Sequence, residues 1–188
     1  MDSCDSLMES SLEPLFCSVS DSIEAILLTM HKEDFSISEH HGKKPSLYMR
    51  ELEAFVKRVI FDHFNNLDAK DFLARRLAPV ASRAIDLFVR HALVVRPIAQ
   101  GGAMRLIQDF GHIEQALAPL CSRLSDLGDS YRLLRAFKPL IQASEEEILA
   151  NPSLGISVPY SACIHLLISR AEAKLRSPFQ VADWSHSQ

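Results

Sequence analysis

The stretch LIQDFGHIEQALAPLCSRLSDLGDSYRLLRAFKPLI, residues 106–141, decides the fold class. Leu106, Phe110, Ile113, Leu117, Leu120, Leu124, Leu127, Tyr131 and Leu134 follow one another in alternating steps of four and three. Phe137 and Ile141 continue the row. That spacing averages close to the helical period, so these side chains share one side of a helix, or of helices laid end to end. An apolar row this long must be covered by other helices. Pro119, Gly128 and Pro139 interrupt it, and prolines inside helices kink or break them. The reading is therefore two helices, about 102–117 and 119–142, the second bent at Gly128.

Outward from this stretch the same habit recurs. A first helix is predicted over about 7–32, with Ser6 and Glu9 at capping-box spacing and Pro14 able to delay its start to about Leu12. Phe16, Val19, Ile23, Ile26, Leu27 and Met30 mark its buried side. Residues 33–45 have no period and read as an exposed, mobile loop. A second helix runs from about Ser46 to Leu67, with Glu53 and Lys57 paired on its wet face. A third starts near Pro79 and stops before Pro97, and residues 68–78 can form a short helix of their own. Gly101-Gly102 reads as the turn into the next helix. Ser144 and Glu147 cap a short helix that Asn151-Pro152 ends, and Pro159 opens another through about Leu175, with Ile164, Leu167 and Ile168 inward. The expectation is an all-α fold: an elongated antiparallel bundle or rod of about six to seven helices, one segment over residues 1–188. Ser177-Pro178 has the form of a helix start ten residues before the end, which points to a fragment of a longer protein.

The composition agrees. Of 188 residues only 6 are Gly, and 47% are hydrophobic against 23% charged, as in ordinary globular proteins. The net charge of −4 is unevenly spread: residues 1–40 hold nine acids and one base. An acidic first helix lying over a mildly basic body follows. No clustered basic stripe is present, which argues against nucleic-acid binding. Cys17, Cys121 and Cys163 lie among apolar neighbours and read as buried small hydrophobes. With Cys4 they form no Cys-x-x-Cys pair, so neither a disulfide framework nor a zinc site is expected, and a reducing compartment is. The N-terminus has no apolar run of a signal peptide, and no stretch reaches transmembrane length.

Chemistry-bearing residues are few. His40-His41 with Glu39 sits in the polar loop, too few ligands for a metal. Asp109, His112 and Glu114 lie within two helical turns and are the suspects for a ligand- or metal-binding bundle, although surface ion pairing is the simpler reading. Asp62 and His63 are adjacent and point apart on a helix. His91 and His165 fall on apolar rows and read as core histidines. Tyr131 to Lys138 is basic and amphipathic, so it suits helix packing or a lipid surface. Glu145, Glu146 and Glu147 suit the positive end of a helix dipole. No nucleophile elbow or phosphate loop occurs, and no catalytic, cofactor or metal residue is expected.

Several stretches in order resemble one family. They include Leu15-Phe16 with Ser18 to Ile26, Met30 to Phe35, Ser46 to Leu52, Phe88 to Ala92 and Gly101 to Leu106. Ser125 to Arg135 and Ser177 to His186 are the most telling. Together they are similar to the C-terminal part of the subunit-five family of the conserved oligomeric Golgi complex. The resemblance implies a helical-rod tether of the kind shared with the exocyst, built from stacked bundles without an active site. It also implies a place on the cytosolic face of the Golgi, vesicle capture in intra-Golgi retrograde traffic, and subunit seven as the foremost partner. Family members are several times longer, extending on the N-terminal side and continuing beyond Trp184-Ser185-His186.

Overall fold

A computed structural model describes residues 2–38, 42 and 44–171, without the side chains of residues 2–6 and 8. Among the described residues there are seven α-helices and no strand. They are α1 (Asp2–Leu28), α2 (Leu47–Val59), α3 (Lys70–Val94), α4 (Gln100–Leu117), α5 (Asp129–Phe137), α6 (Glu145–Leu149) and α7 (Tyr160–Arg170). One continuous apolar core joins them. The stretch containing Phe179 and Trp184 lies outside the described residues, as do Glu39, His40 and His41.

α1 packs on α2 and α3. It starts upstream of the predicted position, so Ser6 lies inside the helix, and it runs through the exposed Pro14. A tighter turn, Thr29–Lys32, completes it at the predicted end. Phe16, Val19, Ile23, Leu27 and Met30 are buried, and each large side chain so covered contributes about 1.5–3 kcal/mol. The acidic outer side of α1 faces bases on α3. Glu9 and Glu13 both accept from Arg76, and Glu24 accepts from Arg83 at 2.6 Å. Exposed pairs of this kind add little stability, but opposite charges on facing helices favour one register.

α3 is longer than predicted. Residues 70–78 and 79–94 are one helix with Pro79 inside it, its ring turned to solvent. Leu73, Leu77, Val80, Ala81, Ala84, Ile85 and Phe88 are buried on both sides of the proline. Two apolar half-helices held against the same neighbours override a local defect of about 3 kcal/mol. The second predicted helix, with Tyr48, Leu52, Phe55, Val56, Val59, Ile60, Phe64 and Leu67 as its expected buried row, buries Tyr48, Leu52, Val56, Val59 and Phe64 but leaves Leu67 exposed, and α2 ends in a widened turn in which the Asn65 amide donates to the Ile60 carbonyl at 2.8 Å. Lys57 and Glu53 pair at 2.6 Å on its wet side.

The predicted helix over 119–142 is broken into pieces. Short tight turns cover Ala118–Leu120 and Leu124–Leu127, α5 follows, and another tight turn covers Lys138–Ile141. Gly128 breaks the run with φ 62° and ψ −124°, a conformation open to glycine alone. The apolar row survives the breaks, since Leu120, Leu127, Leu134, Phe137 and Ile141 are all buried. Phe88, Phe110 and Phe137 form an aromatic chain through α3, α4 and α5, with centroids 4.6 and 5.9 Å apart. Ser144 and Glu147 make both bonds of the capping box at α6. In α7 the buried side is Ala162, Cys163, Leu166 and Ser169, whereas Ile164 faces out.

Gly101 and Gly102 do not form a turn; they are the first turn of α4. Residues 33–37 lie across that helix end. The Phe35 carbonyl accepts from the Ala99 amide at 3.0 Å and the Ile37 carbonyl from the Gly102 amide at 3.2 Å. The loop backbone thus does the work of a capping side chain. A Cβ on residue 102 would sit 1.9 Å from the Phe35 oxygen, whereas one on Gly111 would meet only the Lys138 Nζ at 3.5 Å. Gly102→Ala is therefore expected to cost about 2–3 kcal/mol, because backbone cannot yield as a side chain can. Gly111→Ala is expected to gain about 0.5–1 kcal/mol as a helix-interior replacement. Urea unfolding of the two variants checks the opposite signs.

Candidate functional site

Polar chemistry converges at one place, where residues 33–37 and 46–48 meet α4. Gly102, Arg105 and Asp109 stand three and four residues apart, so they share one side of that helix. Gly102 leaves the slot for Phe35, which is itself buried, although the loop was expected to be exposed. The Arg105 guanidinium sits 5.6 Å over the Phe35 ring and donates to Ser46 Oγ at 2.9 Å, to the Asp34 carbonyl at 3.3 Å and to Glu33 Oε2. Glu33 Oε1 in turn accepts the Leu47 amide at 2.8 Å, at the start of α2.

Asp109 is fully buried and accepts three hydrogen bonds. They come from the Ser46 amide at 2.9 Å, the Ser46 hydroxyl at 2.6 Å and the Tyr48 hydroxyl at 2.7 Å. Burial lifts the Asp109 carboxyl above the ordinary carboxylate range, against the pull of its donors and of the Arg105 charge. Tyr48 is pushed well above its usual value by burial first and then by the Asp109 charge and hydrogen bond, so its hydroxyl stays protonated and donates. Among the described residues no buried side-chain nitrogen or oxygen lacks a partner. Each of its buried polar atoms has a partner on the protein itself, so the network ties Glu33, Asp34, Ser46 and Tyr48 to α4.

The other candidates are scattered. Asp109 does not pair at the surface as predicted: a carboxylate placed among Leu106, Phe110 and Ile113 turns inward with them. His112 and Glu114 do not join it; Glu114 lies 3.6 Å from Arg135. Asp62 and His63 are exposed. His91 is only half-buried at the end of α3, its Nδ1 3.0 Å from His31 Nε2. Burial, then the nearby His31, lower its pKa, which favours the neutral ring that such a bond requires. His165 is half-buried beside a groove. Among the cysteines whose side chains are described, Cys163 is buried, Cys121 half-buried and Cys17 exposed. Burial raises the thiol pKa of Cys163 and, with Asp126, that of Cys121, the reverse of an activated nucleophile. Among the described residues no three His, Cys, Asp or Glu side chains are grouped as a metal ion would require.

The segment from Tyr131 to Lys138 gives its apolar side to the core through Leu134 and Phe137. Arg132 pairs with Asp129 and Arg135 with Glu114, so the arrangement suits packing rather than a lipid surface. No described helix is long and apolar enough to cross a membrane. The open surface features are grooves. One of about 430 Å³ lies between α3, α5 and α7, lined by Val89, Arg90, Leu93, Leu133, Ala162 and His165. Asp86 also lines it, so one acid and one imidazole face a groove that is otherwise largely apolar. Arg105, Ser46 and Tyr48 were missed as a set; the available signal was Asp109 itself, a charge on an apolar row.

Comparison with known proteins places the chain among long relatives. It is 46% identical over 186 residues to conserved oligomeric Golgi complex subunit 5 of Mus musculus, covering 97% of this chain and 22% of that protein. The subunit of the same name from Drosophila melanogaster is 37% identical over 191 residues, covering 100% of this chain and 25% of that protein. The one from Arabidopsis thaliana is 29% identical over 178 residues, covering 89% and 21%. The chain thus spans about a fifth to a quarter of the length of these curated relatives. No family model matches it, and no solved structure does.

Replacing Asp109 by Ala strands three buried donors and is expected to cost on the order of 3 kcal/mol. Glu114→Ala, which removes a half-exposed pair, is expected to cost under about 1 kcal/mol. The raised Asp109 pKa also has a sign. The folded state keeps the proton where the unfolded chain has lost it, so the Asp109 contribution is full below about pH 3.9 and declines as pH rises past that value. Urea unfolding between about pH 4 and about pH 7 is expected to show this decline in the wild type and its loss in Asp109→Asn. An added decline appearing in the variant instead would contradict the assignment.

Proposed function

We propose, for a chain that belongs to the family of conserved oligomeric Golgi complex subunit 5, that it is a non-enzymatic helical segment of a Golgi vesicle-tethering subunit. It acts in intra-Golgi retrograde transport through protein–protein contacts. Its partners are the other subunits of that complex, with subunit seven the foremost, and its membrane association is peripheral, through the complex, at the cytosolic face. Its 188 residues form one piece of a longer helical rod. The observation that carries this reading is the relationship itself, 46% identity along 97% of the chain.

The geometry supports it in a specific way. The buried polar groups bind one another, and the exposed reactive side chains are dispersed. What remains for function is shape and surface. Helices joined through apolar rows present further ridges and grooves on the outside, and these suit contact with other helices. Large apolar side chains at the surface, such as Phe61 at 70% and Leu149 at 72% exposure, are material for such contacts.

The test is binding between purified proteins. The affinity-tagged chain is expected to retain subunit seven, and the full-length relative is expected to retain it as well. Retention by the full-length protein alone would place the contact in another part and remove this segment from it. Retention of no complex subunit by either would overturn the reading.

A further inference from the structure

Two imidazoles join the turn that ends α1 to the last turn of α3. His31, in Thr29–Lys32, and His91 of α3 place Nε2 and Nδ1 3.0 Å apart, with the rings edge to face at a centroid distance of 5.1 Å. The contact needs one facing nitrogen with a hydrogen and one without. Each ring keeps its other nitrogen turned away from the bond. A proton added to the pair can settle on an outer nitrogen and leave the shared bond in place, now strengthened by charge. A second proton has no such position. With both rings charged, both facing nitrogens carry hydrogen, and two like-charged donors confront each other.

The contact lies at a junction of helices. Glu33 follows the His31 turn and is held by Arg105 of α4, so α1, α3 and α4 meet here. The charges around the pair come from several elements. Glu24 of α1 acts on His91 but also engages Arg83 of α3 at 2.6 Å. Lys32, beside His31, is exposed. Of the other helices packed on α3, α5 commits Arg132 to Asp129 and Arg135 to Glu114. α7 directs His165 at the groove lined by Asp86 and Arg90, of which His91 is not part.

We propose that His31 and His91 form a proton-operated latch between α1 and α3, closed while the pair holds at most one extra proton and opened by a second. Met30, buried beside His31, anchors the turn, so opening loosens the join without unfolding the bundle. The latch is independent of the role in Golgi traffic. Burial first, then His31, hold the pKa of His91 below its ordinary value, while Glu24 pulls the other way. The folded state thus takes this proton less readily than the unfolded chain. The contribution of the latch is therefore full above about pH 6.5 and declines as pH falls below that value.

The test is a double-mutant cycle of His31→Ala, His91→Ala and the double variant, read by urea unfolding at about pH 7.5 and about pH 5. The cycle cancels the other titrating groups, Asp109 included. At the higher pH the two substitutions are expected to be non-additive, each ring stabilising only while the other is present. At the lower pH that coupling is expected to vanish or change sign. Proton NMR of the ring hydrogens is the second measurement: His91 is expected to titrate below the ordinary histidine range and to move up in His31→Ala. Circular dichroism monitors the fold, and His31→Gln serves if His31→Ala unfolds. Additivity at both pH values would overturn the proposal, as would a coupling that ignores pH. A His91 titration left unmoved by the loss of His31, or moved down, would overturn it as well.

Discussion

Three hydrogen-bond donors converge on the buried carboxylate of Asp109, and the path of the first half of the chain depends on that convergence. An isolated charge in an apolar interior costs several kcal/mol, so a carboxylate on the core row of α4 is tolerable only with donors supplied. Ser46 supplies two and Tyr48 one. Because Ser46 immediately precedes α2, satisfying Asp109 also sets where α2 begins and on which side of α4 it lies. Arg105 extends the same constraint one turn earlier, through Ser46 and Glu33. Gly102 extends it to the helix end, where only a residue without a side chain admits the Phe35 carbonyl. Three positions on one side of one helix thus hold residues 33–37 and 46–48 against it.

Apolar packing and this polar clasp divide the labour. The helix rows and the Phe88, Phe110 and Phe137 chain provide the bulk of the driving force, which has no direction of its own. Burying Phe16 with Phe64 and Phe72 places α1 over α2 and α3, and the acids of α1 then meet Arg76 and Arg83. Such surface pairs are too weak to create the contact. They discriminate among ways of sliding two greasy rods, since a shift along the axis would set acid beside acid.

What could be read from the residues follows from how local its cause is. The capping box at Ser144 and Glu147, the Glu53–Lys57 pair and the apolar row of α1 involve neighbours within four residues, and all three stand as predicted. Pro79 misled because its penalty is local while the packing that outweighs it comes from other elements. The row from Leu120 to Ile141 had the right side chains buried but the wrong backbone, since tight turns and Gly128 preserve a spacing that a continuous helix would also produce. Asp109 was assigned outward on residue type, when its place between Leu106 and Phe110 indicated the interior. The partners that make this possible lie 61 and 63 residues away, beyond any local pattern.

α7 shows the same lesson in a form that bears on function. Ile164, Leu167 and Ile168 read as core from their spacing; the structure buries Cys163 and Leu166, packs Leu167 half-buried against the core and turns Ile164 outward. Both readings detect real apolar rows; a short helix with two such rows has more apolar surface than one neighbouring layer can cover. In the relatives this chain matches, about a fifth to a quarter of the length is present here. Packing on one side of α7 therefore leaves Tyr160 and Ile164 exposed on the other, whereas the carboxylate of α4 is buried because its donors come with it.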